Sequence, residues 1–128
     1  MPDTKADRAI DSFAAAIAHA LTLPGTELST SYGKPAVKCA ANSQGFLFIG
    51  HEPDTSFCLR LDHGLVDILI ETAPETFWQS PHYVGHDALL VRFDSPEPAR
   101  VREVIERACQ LAAARKPPRP RKPNRSGR

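Results

Sequence analysis

The chain has 128 residues, 41% of them hydrophobic and 24% charged, with a formal net charge of +1. That length accommodates one domain around a single two-layer core and excludes two, and the composition is ordinary for a soluble globular protein. No apolar run approaches the ~20 residues needed to span a bilayer, and no basic segment followed by an apolar one and a cleavage site opens the sequence, so a cytoplasmic protein without a membrane partner is expected.

Asp3 or Thr4 can cap a first helix, in which Ala6, Ile10, Phe13, Ile17 and Leu21 recur at spacings of four and three and make one apolar stripe. Leu23-Pro24-Gly25 stops it. Thr26 to Pro35, rich in Ser, Thr and Gly, reads as a connection ending in a tight turn at Tyr32-Gly33-Lys34-Pro35. From Ala36 onward the pattern is strand-like, and turn signals at Asn42-Ser43-Gln44-Gly45 and Glu52-Pro53-Asp54-Thr55 divide it into a three-stranded meander. In the third strand Phe57, Leu59 and Leu61 alternate with Cys58, Arg60 and Asp62. Phe46 to Ile49 is apolar on both faces, as in a central strand.

The segment from Asp62 to Pro74 has helical spacing at Leu65, Ile68, Leu69 and Thr72, yet its Val and Ile content suits a strand, so periodicity leaves both readings open. Glu75 to Phe93 holds the only Trp and a turn anchored by Pro81 and Gly85. It leads into an alternating strand with Leu89, Val91 and Phe93 on one face and Leu90 and Arg92 on the other. Ser95-Pro96 offers a cap followed by proline at the first helical position. The last helix carries Val101, Val104, Ile105, Ala108, Leu111 and Ala112 on one stripe.

The charge divides sharply along the chain. Residues 1–114 carry 9 Lys and Arg against 15 Asp and Glu, 9 − 15 = −6, whereas residues 115–128 carry 7 Lys and Arg and no acid, +7. The tail, with its prolines and no apolar residue for a core, reads as disordered and suited to an anionic partner. Cys39, Cys58 and Cys109 are widely spaced and beside apolar residues, which points to reduced, buried thiols rather than a disulfide framework or a zinc motif.

Leu23-Pro24-Gly25, the run Ser29 to Ala36, Cys58-Leu59-Arg60-Leu61-Asp62, Pro74-Glu75-Thr76-Phe77, and Ser80-Pro81-His82-Tyr83-Val84-Gly85 leading to Leu90-Val91-Arg92-Phe93 resemble, in order and spacing, the MmcQ/YjbR-like family of small bacterial proteins. The match covers residues 10–114. It implies an α+β fold of two layers, a five-stranded antiparallel sheet packed against helices on one face in the order α-β-β-β-α-β-β-α, with the Asp62 segment helical. It also implies the double-wing description under which DNA binding was proposed for the family, and it supplies no catalytic residue. Family members often have a Trp after the conserved turn, where this chain has Asp87-Ala88.

Weighed as chemistry, His82 and His86 are four apart, but Pro81 and Gly85 break any helical metal face and no ligand set is completed. A Cys-His nucleophile would need an exposed thiol of lowered pKa, for which nothing nearby argues. Gly33-Lys34-Pro35 lacks the spacing of a phosphate loop. Neither a cofactor, a metal nor a catalytic residue is therefore expected. If helices cover the face bearing Phe57, Leu59, Leu61, Leu89, Val91 and Phe93, alternation sends Arg60 and Arg92, with Lys38 a candidate to join them, to the opposite face, beside Trp78, His82 and Tyr83. A bare, cationic sheet face of this kind suits a phosphate backbone or a stacked base; the other reading is that these charges only solvate an exposed face, which the −6 charge of residues 1–114 favours because it repels DNA at long range. The expectation is a non-enzymatic DNA-binding domain of weak sequence specificity. Lys34, Lys38, Arg60, Trp78, His82, Tyr83 and Arg92 are its candidate contacts on the domain, and Arg115, Lys116, Arg119, Arg121 and Lys122 those in the tail. The alternative is a protein-interaction or small-ligand module.

Overall fold

The computed structural model describes residues 10–31, 33–50, 54–79, 87–93, 95 and 97–115. Helix α1 runs Phe13–Leu21 and begins later than its apolar stripe predicts. Ser12, in extended backbone, caps it by accepting the Ala15 N–H at 3.1 Å, so buried Ile10 precedes the helix and reaches the core from a non-helical segment. The expected caps Asp3 and Thr4 lie outside the described residues.

The stretch expected to be a connection is instead a strand. β1 (Thr26–Ser31) pairs antiparallel with β2 (Lys34–Cys39), and before β2 Gly33 stands at φ +78°, a left-handed conformation that glycine adopts without a Cβ clash. β1 lies at the sheet edge with Leu28 as its only apolar residue, so it carries no hydrophobic alternation to announce it. β3 (Gly45–Ile49) and β4 (Ser56–Arg60) complete a meander of four strands. Helix α2 (His63–Thr72) starts where the Asp62 carboxylate accepts the Leu65 N–H at 2.8 Å, which decides the ambiguous segment.

Two-residue β5 (Phe77–Trp78) and β6 (Ala88–Arg92) follow, and the sheet order is β1-β2-β3-β4-β6-β5, so β6 inserts between β4 and β5. The fold is thus α+β, and among the described residues it has an open antiparallel sheet of six strands, one more than the five expected, and three helices. Helix α3 (Pro98–Ala114) begins two residues beyond Pro96; the Ser95 hydroxyl accepts the Glu97 N–H at 2.9 Å, turning the chain before Pro98 takes the first helical position.

The core sits between the helices and one sheet face. Register aligns Val37, Leu47, Leu59 and Leu89 across four strands, and Phe57, Val91 and Phe77 across three. These seven side chains are fully buried in one cluster with Ala16 and Ala20 of α1, Val66 and Leu69 of α2, and the α3 stripe Val101, Val104, Ile105, Ala108 and Ala112. Each large apolar side chain so enclosed is worth roughly 1.5–3 kcal/mol relative to exposure. The ladder shifts register between Val37 and Lys38, a bulge that lets adjacent Phe46 and Leu47 both join the core. Asn42, in the β2–β3 turn, closes the C-terminal end of α3: its Nδ2 donates to the carbonyls of Ala112 at 2.8 Å and Arg115 at 3.0 Å.

Candidate functional site

Alternation along the strands sends their charged side chains to the face opposite the helices. Val37 of β2, Leu59 of β4 and Val91 of β6 point into the core, so their neighbours Lys38, Arg60 and Arg92 point the other way, as does Lys34 two residues before Ala36. The six strands hold four cations and a single acid, Glu27, which is paired in register with Lys38. Extending the register puts Lys34 and Arg92 in one row across β2, β3, β4 and β6, roughly 14 Å apart at about 4.8 Å per strand.

The sequence leads one to expect a bare face, and its centre is closed. Ala36, Ser56, Cys58 and Leu90 are buried there, and Phe48 and Trp78 are half-buried beside them. Phe48 shares their row (Ala36, Phe48, Cys58, Leu90, Trp78) and lies over Gly45: a Cβ built on that glycine would stand 2.8 Å from the ring.

Each expected cation has a distinct surrounding. Lys38 meets Glu27 at 3.3 Å. Arg60 donates Nε to Asp87 at 3.2 Å and Nη1 to Gln44 Oε1 at 3.3 Å. Arg92 stands over the Trp78 ring, 5.0 Å from its centroid, a cation–π contact between diagonal neighbours on β6 and β5. The indole is held in turn by its Nε1–H, which donates to the buried Ser56 hydroxyl at 3.0 Å. Lys34 is exposed.

Arg115, counted with the tail in the sequence, makes contacts on the domain. Its Nη2 donates to the Leu61 carbonyl at 3.1 Å and lies 3.8 Å from Asp87, so Arg60 and Arg115 share one carboxylate. Burial, and next the Arg60 charge, lower its pKa from the usual value. His82, Tyr83, Lys116, Arg119, Arg121 and Lys122 lie outside the described residues.

Sequence reasoning found the cations and set Trp78 beside them, but it did not find the partners of Arg60, Lys38 and the indole. Asp87 immediately precedes Ala88, which pairs with Arg60, so only the β4–β6 register could have brought that carboxylate to Arg60. Glu27 required recognition of β1, and Ser56 required the β5–β6–β4 order.

The thiols are not poised as nucleophiles. Cys58, on the closed face, is pushed up to about 12 by burial and then by the Asp87 charge. Cys39 donates to the Cys109 carbonyl at 3.7 Å, and Cys109 is pushed up to about 11, chiefly by burial. Thiols so shifted are neutral at physiological pH, the opposite of an activated cysteine. Among the described residues no group of three or more His, Cys, Asp and Glu could hold a metal ion, and no helix is long and apolar enough to cross a membrane. Comparison of the chain with protein-family models, with curated proteins and with solved structures gave no match.

Proposed function

We propose that this domain binds nucleic acid, with little sequence specificity and without catalysis, through the sheet face opposite its helices. The observation that carries the reading is segregation of charge. A domain with a net charge of −6 over residues 1–114 holds four cations and one acid on its strands, all on this face. Lys38 and Arg60 are already neutralised by Glu27 and Asp87, so the phosphate contacts fall to Arg92 and Lys34, with residues 116–128 adding six Lys or Arg and no acid. Trp78, held edge-on by Ser56 and backed by Arg92, supplies an aromatic surface beside the cation, the pairing that single strands use for stacking and backbone contact. The resemblance of residues 10–114 to the MmcQ/YjbR-like family points the same way.

Trp78 is the only tryptophan, so its fluorescence reports directly on this face. Titration with single-stranded homopolymer DNA at low salt should quench it saturably, and each phosphate contact should add about 0.7 to the slope of log K against log salt. Arg92→Ala should lower that slope by about one contact, and removal of residues 116–128 should lower it by several. Absence of both quenching and a mobility shift at low salt, where such contacts are strongest, would overturn the proposal.

A further inference from the structure

The two edges of the sheet are unequal. β5 offers two residues, whereas β1 offers six in uninterrupted register with β2. Gly25 accepts the Ala40 N–H at 2.8 Å, which makes Gly25 and Ala40 a hydrogen-bonded pair. Antiparallel ladders alternate, so Glu27, Ser29 and Ser31 turn their backbone groups toward β2, while Thr26, Leu28 and Thr30 turn theirs out from the sheet. The outward N–H and C=O groups of Leu28 and Thr30 have no partner among the described residues.

Natural edges are protected by charged side chains, above all lysine, and by proline, bulges or brevity. β1 has one charge, Glu27, which is already paired with Lys38, and none of the other devices: it reads TELSTS, keeps register throughout, and leaves Leu28 58% exposed on the helix side of the sheet.

We infer that β1 is a self-pairing edge, and that two copies of this chain join antiparallel about a two-fold axis at Leu28 into one sheet of twelve strands. This register is the one that uses all three outward residues of each strand. Leu28 pairs with Leu28 of the second copy and Thr26 with Thr30, giving six main-chain hydrogen bonds and placing the two exposed leucines side by side.

Charge favours the same occupant. Glu27, the only charged residue of β1, is neutralised by its own Lys38 and faces Ser29 of the second copy, whose hydroxyl can donate to it; no acid meets an acid. The net charge of +1 on the whole chain leaves little long-range repulsion between copies. A single strand pair is small beside the interface of a permanent dimer, so the association is weak and reversible. The axis stands perpendicular to the sheet, so both cationic faces point to the same side; the dimer is nevertheless measured without nucleic acid and stands or falls independently of the proposed function.

Sedimentation velocity of the full chain from about 10 to about 500 µM, the range in which small transient interfaces are sampled, should show the average mass rising toward twice the monomer. Thr30→Pro removes an outward N–H that makes no bond within the chain, and Leu28→Lys places two cations side by side at an exposed position; each should hold the protein monomeric with an unchanged circular dichroism spectrum. Under mild oxidation Leu28→Cys should cross-link to itself, while Thr26→Cys, whose copies lie about four residues apart along the ladder, should not. A constant monomer mass across the range overturns the inference, as does a dimer that survives both edge variants or cross-links equally through position 26.

Discussion

Asn42→Ala tests the clasp between the β2–β3 turn and the end of α3. The amide donates its two hydrogens to Ala112 O at 2.8 Å and Arg115 O at 3.0 Å, and its Oδ1 accepts the Gln44 N–H at 3.1 Å. A hydrogen bond in a protein contributes about 0.5–1.5 kcal/mol net, so losing three, two of them on carbonyls at a helix end, should cost about 2–3 kcal/mol. For a domain of this size that is a fall in Tm of roughly 8–12 °C. Asn42→Asp separates capping from turn formation. It keeps the acceptor for Gln44 but removes both donors and sets a negative charge at the negative end of the α3 dipole, so it should be no more stable than the alanine variant. Urea denaturation followed by circular dichroism measures both. If Asn42→Asp matches wild type, or Asn42→Ala loses less than about 0.5 kcal/mol, Asn42 does not hold α3 and the reasoning fails.

Two further outcomes are expected. Cys58 has a folded pKa of about 12, above the unfolded value near 9, so from pH 9 upward the unfolded chain sheds a proton that the folded chain keeps. Its contribution is complete below pH 9 and lost as pH rises, at up to about 1.4 kcal/mol per pH unit; between pH 9 and 11 the stability of Cys58→Ala should fall less steeply than that of wild type, and parallel curves would refute the shift. Gly45→Ala must displace the Phe48 ring, which would lie 2.8 Å from the new Cβ, at a cost of about 1 kcal/mol; a double-mutant cycle with Phe48→Ala should recover most of it, and additive losses would mean that the ring is not the obstacle.

Amphipathic elements were the legible part of this chain. The α3 stripe from Val101 to Ala112 and the alternation of Phe57, Leu59, Leu89 and Val91 name their own buried faces, because burial on one side writes a period into the sequence. β1 escaped because an edge strand with one apolar residue has no such period; its trace in the sequence was Gly33, which stands in a left-handed conformation just before β2. The same alternation placed Arg60, Arg92 and Lys38 together. What they touch is set by register: Asp87 reaches Arg60 across β6, Glu27 reaches Lys38 across β1, and Trp78 reaches Arg92 across β5. Asn42 looked like an ordinary turn residue, since its partners lie 70 or more positions away.

The bulge at Val37 and Lys38 bears on where this chain can change length. Because a one-residue slip along a strand turns every side chain to the other face, β2 cannot slide on β3 to absorb an inserted or deleted residue without driving Leu47 out of the core and Phe48 into it. The bulge already spends the one extra residue that this ladder can hold, between Gly45 opposite Lys38 and Leu47 opposite Val37. Residues 40–44 are therefore fixed in number as well as in shape, anchored at one end by the bulge and at the other by the turn that reaches α3.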